Sequence, residues 1–190
     1  SAANCACAAP TRSPPSRRRL NERSCMNLAD WNTPILRRGL LIALVVLALD
    51  QASKWWILVS VMNPPQLIEI MPMFNLVLTW NRGVSFGMFA MGHDIGPWIL
   101  SIVAVVIVTA LLFWLRKAEG RLVPIAIGLI VGGAIGNVID RMIHGAVVDF
   151  LDVYWGSYHW PAFNVADSGI TVGAVLLVVD SLFSGRPQKG

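Results

Sequence analysis

Charge is scarce in this chain. Of 190 residues only 14% are Asp, Glu, Lys or Arg, while 55% are apolar, and the mean hydropathy is +0.61. A water-soluble domain carries roughly 25% charged residues, so this composition leaves more apolar surface than a single core can hide. Cysteine is scarcer still. Cys5, Cys7 and Cys25 all precede the apolar body, which therefore has neither a disulfide framework nor a thiolate metal site. Histidine is limited to His93, His144 and His159, with no H-E-x-x-H pair. That removes a zinc peptidase of that type, and Ser85 and Ser168 have no evident histidine partner for a serine triad. The glycine-rich run GGAIG lacks a Walker lysine, and no solenoid repeat is present. Aromatics stand beside acids instead of alternating with basic residues, so no nucleic-acid partner is expected.

What the chain does have is long apolar runs, uncharged at 95–115 and elsewhere broken by only two charges on the way, Asp50 and Lys54 in the first. Residues 39–61, 95–115, 122–143 and 164–183 are each long enough to cross a bilayer at 1.5 Å per helical residue. Arg37 and Arg38 precede the first, Arg116, Lys117 and Arg121 lie between the second and third, and Arg186 and Lys189 follow the fourth. Positive flanks on one side predict four spans with both termini in the cytoplasm. Residues 1–38 hold seven arginines against Glu22 and Asp30. Residues 1–36 therefore read as a basic, disordered arm, with Met26 as an alternative start; anionic lipid or nucleic acid near Arg17, Arg18 and Arg19 is the competing use of that charge. Between spans, residues 62–94 carry Pro64, Pro65 and Pro72 and two strand-like runs, LIEI and FNLVLTW. They predict a small outer lobe, with Trp80, Phe86 and Phe89 suited to a membrane interface. Residues 144–163, rich in Trp and Tyr, form a second outer segment, and 185–190 a cytoplasmic tail. Gly132, Gly133 and Gly136 allow close helix approach in the third span. The expected fold class is an all-α membrane protein with a small extracytoplasmic β element.

In so apolar a chain every charge near membrane depth is a candidate for function. They are Asp50, Lys54, Asp140, Arg141, Asp149, Asp152, Asp167 and Asp180. Asp50 and Lys54 are four apart on one helix face and read first as a structural ion pair. Asp140 and Arg141 point about 100° apart, so each looks to other helices for partners. Asp180, near the cytoplasmic end, reads as structural. Asp149 and Asp167 both fall near the outer surface. Brought together they could share a proton, one carboxyl serving as acid and the other as base toward a water and a peptide carbonyl. Asp167 could equally be a first-turn carboxylate of a helix begun by Asn164, and Asp149 a satisfied turn residue. A metal-dependent lipid-headgroup enzyme would need a tight carboxylate cluster such as D-x-x-D, which is not expected here. A small transporter would run an ion path through Asp50, Lys54, Asp140 and Asp167, but the acids gather at one surface.

The ordered motifs LDQASK at 49–54, NRGVSFGMF at 81–89, GGAIGNVIDR at 132–141, VVDF at 147–150 and PAFNVADSGITVG at 161–173 resemble those of the lipoprotein signal peptidase family, also called type II signal peptidase. The resemblance spans residues 37–184. It implies a four-helix aspartic endopeptidase of the bacterial inner membrane, its active site facing the periplasm or cell exterior. Its substrates would be prolipoproteins whose lipobox cysteine carries diacylglycerol, cut before that cysteine. The resemblance makes Asp149 and Asp167 the catalytic pair, although Asn137 and Asp140 repeat the spacing of Asn164 and Asp167. Asp140 is then a supporting acid, Asn81, Asn137, Arg141 and Asn164 line or brace the substrate site, and Asp50 and Lys54 belong to the first motif. Residues 62–94 correspond to the family's β-cradle. No metal or other cofactor is implied; membrane lipid and prolipoprotein are the expected partners of a monomer.

Overall fold

The computed structural model describes residues 33–83, 95–118 and 120–183. Helix α1, Pro34–Trp56, starts where Thr33 accepts a hydrogen bond from the Leu36 N–H at 3.2 Å and a proline occupies the first turn. The arm expected to run to residue 36 therefore yields its last three residues to this helix, and residues 1–32 lie outside those described. One π-helical turn, Ile57–Val61, extends α1 to the end expected for the first span. Helices α2 (Ile95–Leu115), α3 (Leu122–His144) and α4 (Val165–Phe183) fall within a residue of the sequence expectation. Each of these three is long and apolar enough to cross a membrane. Phe86, Phe89 and the tail at 185–190 fall outside the described residues.

The two outer segments meet in one antiparallel sheet of β1 (Ile68–Met71), β2 (Phe74–Asn81), β3 (Val147–Trp155) and β4 (Tyr158–His159), in that spatial order. Pro72 and Met73 close the first hairpin. Met73 has φ 74°, the left-handed conformation of the third position of a type II turn, and its carbonyl accepts the Tyr154 N–H at 3.0 Å. Between β2 and β3 the register slips once. Leu76 faces Leu151 and Thr79 faces Asp149, so β2 holds one more residue than β3 across this interval.

Helix α3 is the centre of the bundle, packed against α1, α2 and α4. Its glycines set the spacing. A Cβ at Gly132 would stand 2.5 Å from the Ala43 carbonyl of α1, and one at Gly133 would overlap the Ala166 carbonyl of α4. Without a dominant hydrophobic drive between helices in lipid, such close backbone contact supplies the packing. Leu36, Leu115, Val123, Ile127 and Val131 fill the helical core, while Ile57, Met62 and Phe150 form a second cluster beneath the sheet.

Candidate active site

Asp149 is placed by the exit from α3. Gly145, with φ 68°, ends the helix by donating its N–H to the Arg141 carbonyl at 3.0 Å, and β3 begins two residues later. This short turn lets Asp140 Oδ2 accept the Val148 N–H at 3.0 Å, tying helix to strand one residue before Asp149. Asp149 is 1% exposed. Its Oδ2 accepts from Asn81 Nδ2 at 2.9 Å and its Oδ1 from Asn164 Nδ2 at 2.7 Å. Burial pushes its carboxyl from the ordinary 3.8 up to about 6; the charge of Asp167 pushes the same way, while Asn81, Asn164 and the more remote Lys54 pull back.

Asp167 is placed by the cap of α4. The wholly buried Asn164 lies just before that helix, and its Oδ1 accepts the Asp167 N–H at 3.0 Å. The cap reading of this segment is therefore correct for Asn164, whereas the Asp167 carboxylate turns to α3 and accepts from Asn137 Nδ2 at 2.8 Å. Asn164 thus touches both acids, one through its amide nitrogen and the other through its oxygen. Asp167 is partly open, unlike Asp149.

Behind the pair lies a buried charge cluster. Lys54 Nζ stands 2.8 Å from Asp50 Oδ2, 2.9 Å from Asp140 Oδ2 and 3.1 Å from Asn137 Oδ1. The expected Asp50–Lys54 pair is present, and Asp140 finds its partners on α1 and β3, as the 100° offset from Arg141 requires. Asp50 Oδ1 also accepts the Ala166 N–H at 2.9 Å, satisfying a second free donor at the start of α4. Arg141 donates from Nη1 to the Asn137 carbonyl at 3.2 Å, its guanidinium within electrostatic range of Asp167, Asp140 and Asp149. Its Nε is buried and has no partner.

All nine residues singled out from sequence, Asp50, Lys54, Asn81, Asn137, Asp140, Arg141, Asp149, Asn164 and Asp167, join one hydrogen-bonded network. One member was missed. Gln51 Nε2 donates to Asp50 Oδ2 at 3.2 Å and to Asp140 Oδ1 at 3.0 Å, bridging two acids; its position as a lone amide in an apolar helix was the available signal. Asp152 lies outside this network. Contrary to the expectation that no D-x-x-D is present, Asp149 and Asp152 have that spacing, but an odd interval sends strand neighbours to opposite faces. Asp152 accepts from Asn75 at 3.1 Å and pairs with His159 Nδ1 at 2.9 Å. The chemistry available to the Asp149–Asp167 site is that of two neighbouring carboxyls in different surroundings, with amides holding each of them and a cation close by.

The sequence pattern of the family described as Signal peptidase (SPase) II matches residues 42–183. A lipoprotein signal peptidase of Methylorubrum extorquens (strain PA1) is 46% identical over 149 residues, covering 77% of this chain and 86% of that protein. One from Shewanella sp. (strain MR-4) is 41% identical over 161 residues, covering 84% and 94%. A solved structure, described as a bacterial membrane enzyme determined by the in meso method at 1.9 Å, superposes with a TM-score of 0.67 at 31% identity, covering 78% of this chain and 94% of its own. Buried carboxyls, capping asparagines and close-packed apolar helices therefore occur in a chain whose likeness runs through the whole bundle, and the chain belongs to the signal peptidase II family.

Proposed function

We propose that this protein is a membrane aspartic endopeptidase that removes the signal peptide from diacylglyceryl-modified prolipoproteins, cutting before the lipidated cysteine, with Asp149 and Asp167 as the catalytic pair. Removal of prolipoprotein signal peptides is the activity of the family. The observation that supports this pair over the similarly spaced Asn137–Asp140 is the division of partners. Asp140 is consumed by Lys54, Gln51 and the Val148 N–H, whereas Asp149 and Asp167 are held only by amide N–H groups.

In the reaction, the ionised member of the pair takes a proton from a water as it attacks the scissile carbonyl. The protonated member polarises that carbonyl and passes a proton to the leaving amine. Asn164 bonds the Asp149 carboxyl through its nitrogen and the Asp167 backbone N–H through its oxygen, tying the two residues to one side chain. Arg141 Nε, an unspent buried donor, suits a backbone carbonyl of an extended substrate that has no water at this depth, while Asn137 and Asn164 brace the pair from behind. Acyl chains lying between helices would fix the lipidated cysteine, and hence the bond before it, beside the pair. In this reading α1 is a fourth span, the sheet lies on the outer side of the cytoplasmic membrane, both termini lie in the cytoplasm, and the enzyme acts as a monomer without metal or other cofactor.

The test is cleavage of a diacylglyceryl prolipoprotein peptide in detergent containing EDTA. Wild type should cut before the lipidated cysteine. Asp149→Asn and Asp167→Asn should each lose at least ~1,000-fold in kcat, as removal of an acid–base partner does, while Asp140→Asn keeps measurable turnover. Activity that returns only with added Mg²⁺ would overturn the aspartic mechanism.

A further inference from the structure

We infer that Lys54 is a positioning residue for the catalytic pair: its ammonium decides which way the Asn137 amide faces, and thereby keeps the Asn137 N–H on Asp167. The inference rests on the proposed roles of Asp149 and Asp167. An ammonium has three N–H donors, and Lys54, 3% exposed, has three acceptors, Asp50 at 2.8 Å, Asp140 at 2.9 Å and Asn137 Oδ1 at 3.1 Å. None of its donors is spare. The two carboxylates account for its burial as a charge. The third bond is to a neutral amide and is not needed for charge balance.

That third bond has a directional effect. The two ends of an asparagine amide have nearly the same shape and opposite hydrogen-bonding character. As found, Asn137 Oδ1 accepts from Lys54 and from Asn164 Nδ2 at 3.3 Å, while Nδ2 donates to Asp167 at 2.8 Å. Turned over, the amide would set NH₂ against an ammonium and against a second NH₂, and its oxygen against a carboxylate. All three contacts would be repulsive. Asn164 alone is a weaker lock, because its nitrogen is also engaged by Asp149 and the Val148 carbonyl. Lys54 on α1 thus acts on Asp167 of α4 through one side chain of α3.

The same cation acts over a longer range on Asp149. The charged groups that bear on Asp149 are Asp167 from α4, Arg141 from α3 and Lys54 from α1, with the Asn81 amide on it from β2 and the Asn164 amide from the start of α4. Removal of Lys54 takes away a charge that favours the ionised carboxyl. Whichever limb of the pH profile Asp149 governs should then move to higher pH, whereas a residue that only stabilises the fold would lower activity evenly at every pH.

The experiment compares wild type, Lys54→Met, Asn137→Ala and the double variant on the diacylglyceryl peptide across pH 4 to 9. Lys54→Met should lose roughly tenfold or more in kcat with KM within about threefold, and the inflection that Asp149 governs should move to higher pH. The double variant should be no worse than Asn137→Ala within about threefold, because both changes break one path. An unmoved inflection, or losses that multiply in the double variant, overturns the inference. If Lys54→Met does not give a melting transition, Lys54→Gln takes its place. Gln keeps one N–H for Asn137 without the charge, so the same pH displacement with a smaller loss in kcat is expected, and an unmoved inflection again overturns the inference. A wild type that leaves the peptide intact overturns the proposed function itself, an outcome distinct from a wild type that cuts and a Lys54 variant whose profile is unmoved.

Discussion

Asp149 is a carboxyl the fold holds against its own preference, and that has a measurable effect on stability. A raised folded-state value means the native protein binds this proton more tightly than the unfolded chain. The group therefore contributes full stability below its unfolded value of 3.8 and loses it as pH rises through about 6. The melting temperature of the wild type relative to Asp149→Asn should fall by a few degrees between pH 4 and 6 and level off above, equivalent to about 2–3 kcal/mol. A difference that stays flat across that window would contradict the burial argument. At this scale the sequence was most legible, since a chain with so few charges leaves few candidates and the motifs place each of them. Gln51 left only the weak signal of a lone amide in an apolar helix, and the Asn75–Asp152–His159 group left none, because Asp152 owes its partners to a strand register that only the folded sheet supplies.

The elements explain why single positions on α3 matter. Gly128 and Gly132 lie on the backbone of α1, so a side chain at either must push apart the two helices that carry Lys54 and Asn137. Gly132→Val is expected to destabilise the protein by about 1–3 kcal/mol through overpacking and to lower kcat, whereas Gly120→Ala, in open space on a loop, should leave kcat unchanged at a modest stability cost from its φ of 83°. Thermal melts and initial rates of the two variants decide this; a Gly132→Val enzyme with wild-type rates would show that the α1–α3 spacing does not serve the site. Helix ends were readable to within a residue for α2, α3 and α4, because an apolar run bounded by Arg, Gly or Asn is a local signal. The start of α1 was misjudged because Thr33 and Pro34 were read as part of a basic arm and not as a cap and first turn. The sheet was anticipated only as strand-like runs. Its slip between Leu76 and Thr79, which lets Asn75 meet Asp152 while Asn81 meets Asp149, comes from pairing between segments some seventy residues apart.

The whole molecule turns apolar side chains outward. Ile102 and Val106 on α2 and Val175 and Val178 on α4 are more than half exposed, and Trp55, Trp155 and Trp160 project near the sheet end. Such surfaces suit lipid and its headgroup boundary. In intact spheroplasts of a version with Cys5, Cys7 and Cys25 replaced, a membrane-impermeant maleimide should label Tyr158→Cys, and should label Lys117→Cys only after permeabilisation. The reverse pattern would invert the proposed orientation. The Lys54–Asp50 contact also bears on how such a chain is made. Both partners lie on α1 one turn apart, so α1 carries its cation neutralised before α3 is made, and the insertion machinery meets a paired charge instead of two bare ones. Asp140 and Asn137 arrive later with α3, Asp167 last with α4. With Asp149 and Asp167 as the proposed pair, the site stays incomplete until its last helix is in place, so an unfinished chain would have no pair with which to cut its neighbours.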